Sequence, residues 1–350
     1  MKQVEALIVG SGIAGITLAW KLYQQQKSFV IISQPRLSLS SLVAPAVWNP
    51  IVFKRMNPTW NASVLLDELI FYQETEKTLQ VSLVQSFRIW HILNNNDEEK
   101  LWLNKKELYP RFLGDIKWID KNDYRLLKRS LKCGEVINAG RLNVSEYIYH
   151  SLQFFQSINA YVEDKFYYDR LDVQENRVVY NDLIARYVVF CEGYLVKNNP
   201  WFDFVKLKPA KGEIVEIETK QYLLPENTIL HKHISIIPNG KNRYLIGSNY
   251  DWTNLNEEAT ASIKYQFLSE FEELFDVSYE VIGHYAGIRP AADRRPVLGQ
   301  HPQYTSLWIM NGLGTKGVLL APYCAKKLYN AIYKKELIEQ EINVIRMLQT

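Results

Sequence analysis

Val4-Glu-Ala-Leu-Ile-Val9 runs directly into Gly10-Ser-Gly-Ile-Ala-Gly15, and an apolar helical period through Ile16, Leu18, Ala19 and Leu22 follows. The first six residues read as a buried parallel strand and Ala14 to Gln26 as the helix that packs on it. Phe29-Val-Ile-Ile is then a second strand. Strand, helix and strand thus fit within about 30 residues, the unit of a doubly wound α/β sheet.

In that context each glycine of Gly-x-Gly-x-x-Gly has a task. Gly10 permits the tight turn, Gly12 lets the backbone come close to a pyrophosphate, and Gly15 lets the helix pack closely. The amides opening the helix, those of Ile13 and Ala14 among them, face an anion with the positive end of the helix dipole behind them. The pattern predicts a Rossmann-like dinucleotide-binding domain; the bland alternative is a turn that only joins strand to helix. One piece is missing. Where such sites place an acid on the ribose, at the end of the second strand, this chain has Ser33 and Gln34. Ser33 can still hydrogen-bond a ribose hydroxyl, without the strength of a carboxylate. The absence weighs against NAD, whose site relies on that acid.

The 350 residues are 47% hydrophobic, large for one compact domain, so two interleaved domains are the default. Lys and Arg total 41 against 38 Asp and Glu, a net charge of +3 that supplies no field for collecting a nucleic acid. Cys133, Cys191 and Cys324 are too few and too far apart for a disulfide framework or a Cys-x-x-Cys metal site, which fits a reducing cytoplasm. Met1 to Glu5 leads into a run, Ala6 to Val9, that glycines break at once, so neither a secretory leader nor a transmembrane helix is expected. Peripheral membrane contact through a surface loop stays open. His231 and His233 would share one face of a strand if Thr228 to Pro238 is extended. A metal needs a third ligand that no spacing supplies, so no metal is assigned and structural histidines are the simpler reading.

Further along, Ser33 to Pro50 lacks a period and reads as a loop across a ligand. Residues 61–82 look helical, and 84–120 alternate short apolar runs with turns such as Asn94-Asn-Asn-Asp97, as in an antiparallel sheet. Val144 to Phe155 is helix-like, and Arg186 to Phe190 is a strand running into Cys191-Glu-Gly193. Residues 211–218, 228–237 and 243–249 are further strands, and Glu257 to Leu274 is an amphipathic helix. Leu307 to Asn311 is a last strand, and Val318 to Tyr333 the terminal helix. The reading assigns 1–50, 140–205 and 285–350 to the dinucleotide domain, and 51–139 and 206–284 to a second, mainly antiparallel α+β substrate domain.

Between that last strand and helix lies Asn311-Gly-Leu-Gly-Thr-Lys-Gly317, a second glycine-opened helix start. One phosphate site needs only one, whereas a flavin has a second need, because its reduced ring carries negative charge that helix amides stabilise. With Lys211-Gly-Glu213, Ala286-Gly-Ile-Arg-Pro290, Asp293-Arg-Arg-Pro-Val-Leu-Gly299 and Gly312 to Pro322, the chain resembles the D-amino-acid oxidase and glycine oxidase family of FAD-dependent oxidoreductases. The blocks come in that family's order and span almost the whole sequence.

The resemblance implies extended FAD, its adenine half on the first βαβ unit and its ring between the domains. Gly10, Gly12 and Gly15 would contact the pyrophosphate, Ser41 and Gly193 would border the cofactor, and Gly314, Thr315, Lys316 and Gly317 would lie beside the N1 and C2-oxygen edge of the ring. Arg289 would grip a substrate carboxylate with its planar fork, against a structural reading in which it pairs with Asp293 or stacks on an aromatic ring. No cysteine lies between 192 and 323, so the flavin is expected to be non-covalent. Ser235 stands where glycine oxidases place a tyrosine over the substrate, and Ala44-Pro-Ala46-Val-Trp-Asn-Pro50 departs from the family pattern.

The implied function is oxidation of a small amine or amino acid by hydride transfer to the flavin, leaving an imine that hydrolyses. The other readings are an FAD enzyme acting on a modified tRNA base side chain and a non-catalytic flavin-binding module. The electron acceptor, oxygen or a quinone or carrier, the substrate's identity and chirality and the oligomeric state are not fixed by the sequence.

Overall fold

The computed structural model describes residues 1–34 and 40–349; part of the predicted loop after the second strand, residues 35–39, lies outside the described residues. Lys2–Val9 forms the first strand, Ile13–Gln24 the first helix and Phe29–Ser33 the second strand. The first strand pairs in parallel with Phe29–Ser33 on one side and with Leu183–Phe190 on the other. Tyr161–Glu163 extends the sheet beyond the second strand, and Leu307–Asn311 runs parallel to Leu183–Phe190. The order reverses at the first strand, so the carboxyl ends of these strands open on a crevice, where ligands of such sheets bind.

Both faces of the sheet are covered, which is why residues 6–9, 29–32 and 187–190 are apolar and buried at successive positions rather than alternating. Ala6 and Ile8 face helices Ile13–Gln24, Val144–Ser157 and Gly317–Lys334, while Leu7 and Val9 face a second core with Val196, Phe202 and Val205. In the first of these layers Trp20 is fully buried and donates to Ser151 Oγ at 2.7 Å.

Among the described residues the second sheet has nine strands, arranged Tyr279–Arg289, Ala210–Thr219, Arg243–Gly247, Ser235–Pro238, Thr228–His231, Val84–Ile92, Leu131–Leu142 and Val47–Trp48, with Leu113–Ile119 beside Leu131–Leu142. It is antiparallel except where Thr228–His231 runs parallel to Val84–Ile92. Here the period of two is plain. Val215, Leu230 and Ile236 pack against helix Ala261–Glu272 with Phe267 and Phe271, whereas Ile214, Ile229 and Ile237 point to the opposite face.

Three sequence readings change. Asn94 to Asp97 is not a strand turn: Asn95 caps helix Asn96–Leu108, its Oδ1 accepting from Asp97 N and Glu98 N, with Asp97, Glu98 and Glu99 in the first turn. The capping signal was there, but neighbouring strands masked it. Residues 61–82 form two short helices, Ala62–Asp67 and Ile70–Leu79, whose Leu65, Phe71 and Tyr72 join the core of the first sheet. Tyr72 donates to Val318 O at 2.9 Å, which ties them to the terminal helix. Finally, Thr228 to Pro238 is a tight hairpin whose first strand ends at His231, so His231 and His233 do not share one strand face.

Candidate active site

A cavity of about 730 Å³ lies between the strand ends of the first sheet and the inner face of the second. Gly10, Gly12, Ile13, Ala14, Ser33, Gln34, Ser41, Gly193, Gly314, Thr315, Lys316, Gly317 and Arg289 all line it, so the structure brings together residues drawn from across the chain. Gly15 and Gly312 do not. A Cβ on Gly15 would sit 1.9 Å from Gly10 O, so this glycine lets the helix pack closely on the turn that faces the cavity. Gly312, at φ +70°, has Val297 and Ala292 against it and lets the last strand turn into its helix.

At the first glycine loop, Gly10 takes φ +106°, where a Cβ would press to 2.5 Å on Cys191 O. Gly12 differs: its φ of −71° suits any residue, and a Cβ there would find only Ser41 Oγ, at 3.4 Å. Its lack of a side chain is therefore not demanded by the protein's own packing. Ser41 Oγ accepts from Ile13 N at 3.1 Å. The terminal helix begins after the Gly314–Lys316 turn, and its N-cap residue, Lys316, makes no side-chain cap bond. Asn311 stitches the loops together, donating to Gly193 O at 2.9 Å while accepting from Gly312 N at 2.8 Å.

Arg289 closes the other end. Its Nη1 donates to Asn249 O (2.9 Å), its Nη2 donates to Ser248 Oγ (2.8 Å), and its guanidinium stacks over Tyr250, 4.7 Å from the ring centroid. Nε takes no part in those contacts. Asp293 is engaged elsewhere, with Arg346 at 2.6 Å. The Lys211-Gly-Glu213 segment explains how the guanidinium is seated: a Cβ at Gly212 would fall 1.9 Å from Nη2, so only glycine gives it room. Lys211 and Glu213 point the other way, 1% and 2% exposed and 3.4 Å apart. Lys211 donates to Asn256 Oδ1 (2.8 Å), and Glu213 accepts from Thr260 N (2.7 Å) and Thr260 Oγ1 (2.8 Å). A buried ion pair thus fastens the 249–260 segment that supplies Arg289 with partners.

Between these ends the cavity is lined by Phe53, His231, His233 and Ser235, and His91 packs on Phe53 without lining it. Phe53 stacks on His231 (4.1 Å between centroids) and on His91 (4.5 Å), and His231 Nδ1 lies 2.9 Å from Ser235 Oγ. Burial pushes the His91 imidazole down to about 4 and the His231 imidazole down to about 3, so both are neutral at neutral pH. Lys316 donates to Asn49 O at 2.6 Å, and burial lowers its ammonium to about 8. The Ser235 that replaces a tyrosine is accordingly paired with His231. No local signal singles out Ser248, Asn249 and Tyr250, which follow strand Arg243–Gly247, whereas Asn49 lies in the 33–50 segment that reads as a loop across a ligand. Among the described residues, no group of three or more His, Cys, Asp or Glu could hold a metal ion. None of the helices described is long and apolar enough to cross a membrane.

A doubly wound sheet with a glycine-opened first helix, roofed by an antiparallel sheet across a ligand-sized cleft, defines a two-domain dinucleotide-dependent oxidoreductase. The chain belongs to the FAD dependent oxidoreductase family, whose model matches residues 5–331. It is 28% identical over 131 residues to a glycine oxidase of Geobacillus kaustophilus; the aligned part is 37% of this chain and 35%, about a third, of that relative. In fold it is similar to the crystal structure of glycine oxidase from Geobacillus kaustophilus (TM-score 0.79, 17% identity, 96% of each chain). It is equally similar to iminodiacetate oxidase from Chelativorans sp. BNC1 (TM-score 0.79, 18% identity, 97% of this chain and 98% of that one).

FAD, the family's cofactor, fits the residues present. Two helix starts whose own N-cap residues make no side-chain cap bond face one cavity, Gly12 leaves space where a side chain would block close approach, and the volume is that of a cofactor site.

Proposed function

We propose that this protein oxidises a small amine or amino acid bearing a carboxylate. The observation that carries the reading is Arg289: a cation in the cavity wall, held by neutral partners and an aromatic ring, with Nε outside those contacts. Such a fork, desolvated and fixed, suits a carboxylate.

Gly10, Gly12, Ile13, Ala14 and Ser41 would hold the pyrophosphate end of FAD, and Gly314 to Gly317 would hold the ring end. Bound FAD supplies the two-electron acceptor for the carbon–hydrogen bond next to nitrogen. The chain's own groups position and exclude. Arg289 anchors the carboxylate, and Tyr250 fixes the plane of its guanidinium. Lys316 places positive charge at the start of the terminal helix, where it adds to the helix dipole. His231, kept neutral by burial, puts no imidazolium charge at its place in the cavity wall.

The test is anaerobic addition of glycine, N-methyl glycine and a panel of D- and L-amino acids to the flavin-loaded protein, followed by visible absorbance. Bleaching by carboxylated amines, weakened for the decarboxylated counterparts, is the expected result. A flavin that stays oxidised with all of them overturns the proposal.

A further inference from the structure

The acid missing from the end of the second strand leaves the adenosine ribose without its usual partner. Ser33 is a weaker substitute, since its neutral hydroxyl, which accepts from Ser11 Oγ at 2.9 Å, lacks the charge of a carboxylate. Across the first strand the situation differs. Leu183–Phe190 ends beside Gly10, and the Cβ that Gly10 lacks would lie 3.6 Å from Glu192 Cα. Glu192 lines the same cavity as Gly10 and Gly12, with Lys165, Phe166 and Tyr168 beyond it.

Its carboxyl is held from both sides: Tyr168 donates to Oε1 at 2.5 Å and Asn199 Nδ2 to Oε2 at 2.8 Å. Each oxygen keeps a further lone pair, so the group is oriented without being saturated. The rival carboxylates fit less well. Glu163 pairs in register with Ser33 but is exposed and does not line the cavity, and Glu257 lies within 3.4 Å of Tyr194 OH on the segment that leads to Arg289.

We propose that Glu192 binds the ribose hydroxyls of the adenosine half of FAD, in place of the second-strand acid. This rests on the FAD reading. Burial raises the carboxyl to about 7, and a hydroxyl can donate to it in either protonation state.

The experiment is a binding cycle on flavin-free protein, read by quenching of flavin fluorescence, with FAD, FAD lacking the adenosine 2′- or 3′-hydroxyl, and FMN. Wild type should bind one of the deoxy cofactors about tenfold more weakly than FAD, the weight of one hydrogen bond to a charged acceptor. Glu192→Ala should weaken FAD by a similar factor and bind FAD and the deoxy cofactors alike, with FMN affinity unchanged. Glu192→Gln, nearly isosteric, should fall between and carries the test if the alanine variant does not fold. A general disturbance of the pocket would weaken FAD and deoxy cofactors in parallel and leave their ratio at the wild-type value. That outcome, or wild-type FAD affinity in the variants, overturns the proposal. A wild-type protein that binds no FAD overturns the cofactor reading beneath it.

Discussion

Gly12→Ala separates cofactor chemistry from folding. The added methyl stands on backbone at φ −71°, and its nearest neighbour is Ser41 Oγ at 3.4 Å, an ordinary contact. The flavin-free variant should therefore match wild type within about 0.5 kcal/mol in urea unfolding. Cofactor binding should suffer, because the methyl keeps a pyrophosphate from the amides of the helix start. Losing two amide–anion hydrogen bonds at about 1.5–3 kcal/mol each totals about 3–6 kcal/mol, or about 10²–10⁴-fold in affinity. Fluorescence titration of flavin-stripped protein measures it. The control is Gly15→Ala, whose methyl would sit 1.9 Å from Gly10 O and must displace backbone, so here the flavin-free protein itself should lose about 2 kcal/mol or more. Wild-type FAD affinity in the Gly12 variant, or an unperturbed Gly15 variant, would refute the division of labour between these glycines.

Arg289→Lys should raise KM for carboxylate substrates far more than it lowers FAD content, since a point charge replaces a fork; unchanged steady-state kinetics would remove the anchor from the proposal. Lys211→Met removes the cation beside buried Glu213, which keeps Thr260 and His284, and should cost about 3 kcal/mol in denaturant unfolding, while Lys211→Met with Glu213→Leu should recover part of it. Recovery of nothing would mean that the pair is not the source of the loss. For pH, the depressed His91 imidazole makes the sign definite. Between 6.5 and about 4 the unfolded chain takes up a proton that the folded one refuses, so stability present above pH 6.5 is lost on acidification, by up to about 3 kcal/mol. His91→Phe should flatten that slope, and an identical acid limb in both proteins would count against it.

What could be read from the sequence was short in range. Val4 to Ile32 announced its strand, helix and strand because each signal, an apolar run, a glycine spacing or a 3.6-residue period, lies within a few positions of itself. The glycine loop before the terminal helix and Arg289 come with the family's motif order, and Arg289 and residues 313–317 line the cavity. Helix Asn96–Leu108 was misread because its apolar positions are sparse and its cap, Asn95, sits in an asparagine run that also reads as a turn.

Tertiary structure alone decided which distant residues share the cleft. Nothing local joins Lys316 to Asn49, 267 positions away, or shows that Gly212 is glycine because the guanidinium of Arg289 fills the place of its Cβ. Nor does the serine at the end of the second strand reveal that a carboxyl waits at the end of another strand. The nucleotide-type fold and its two glycine-opened helices are legible without coordinates, since they are written in neighbouring residues. The sheet pairing determined the composition of the site, since a residue's partners across a sheet or cleft leave no periodic trace along the chain.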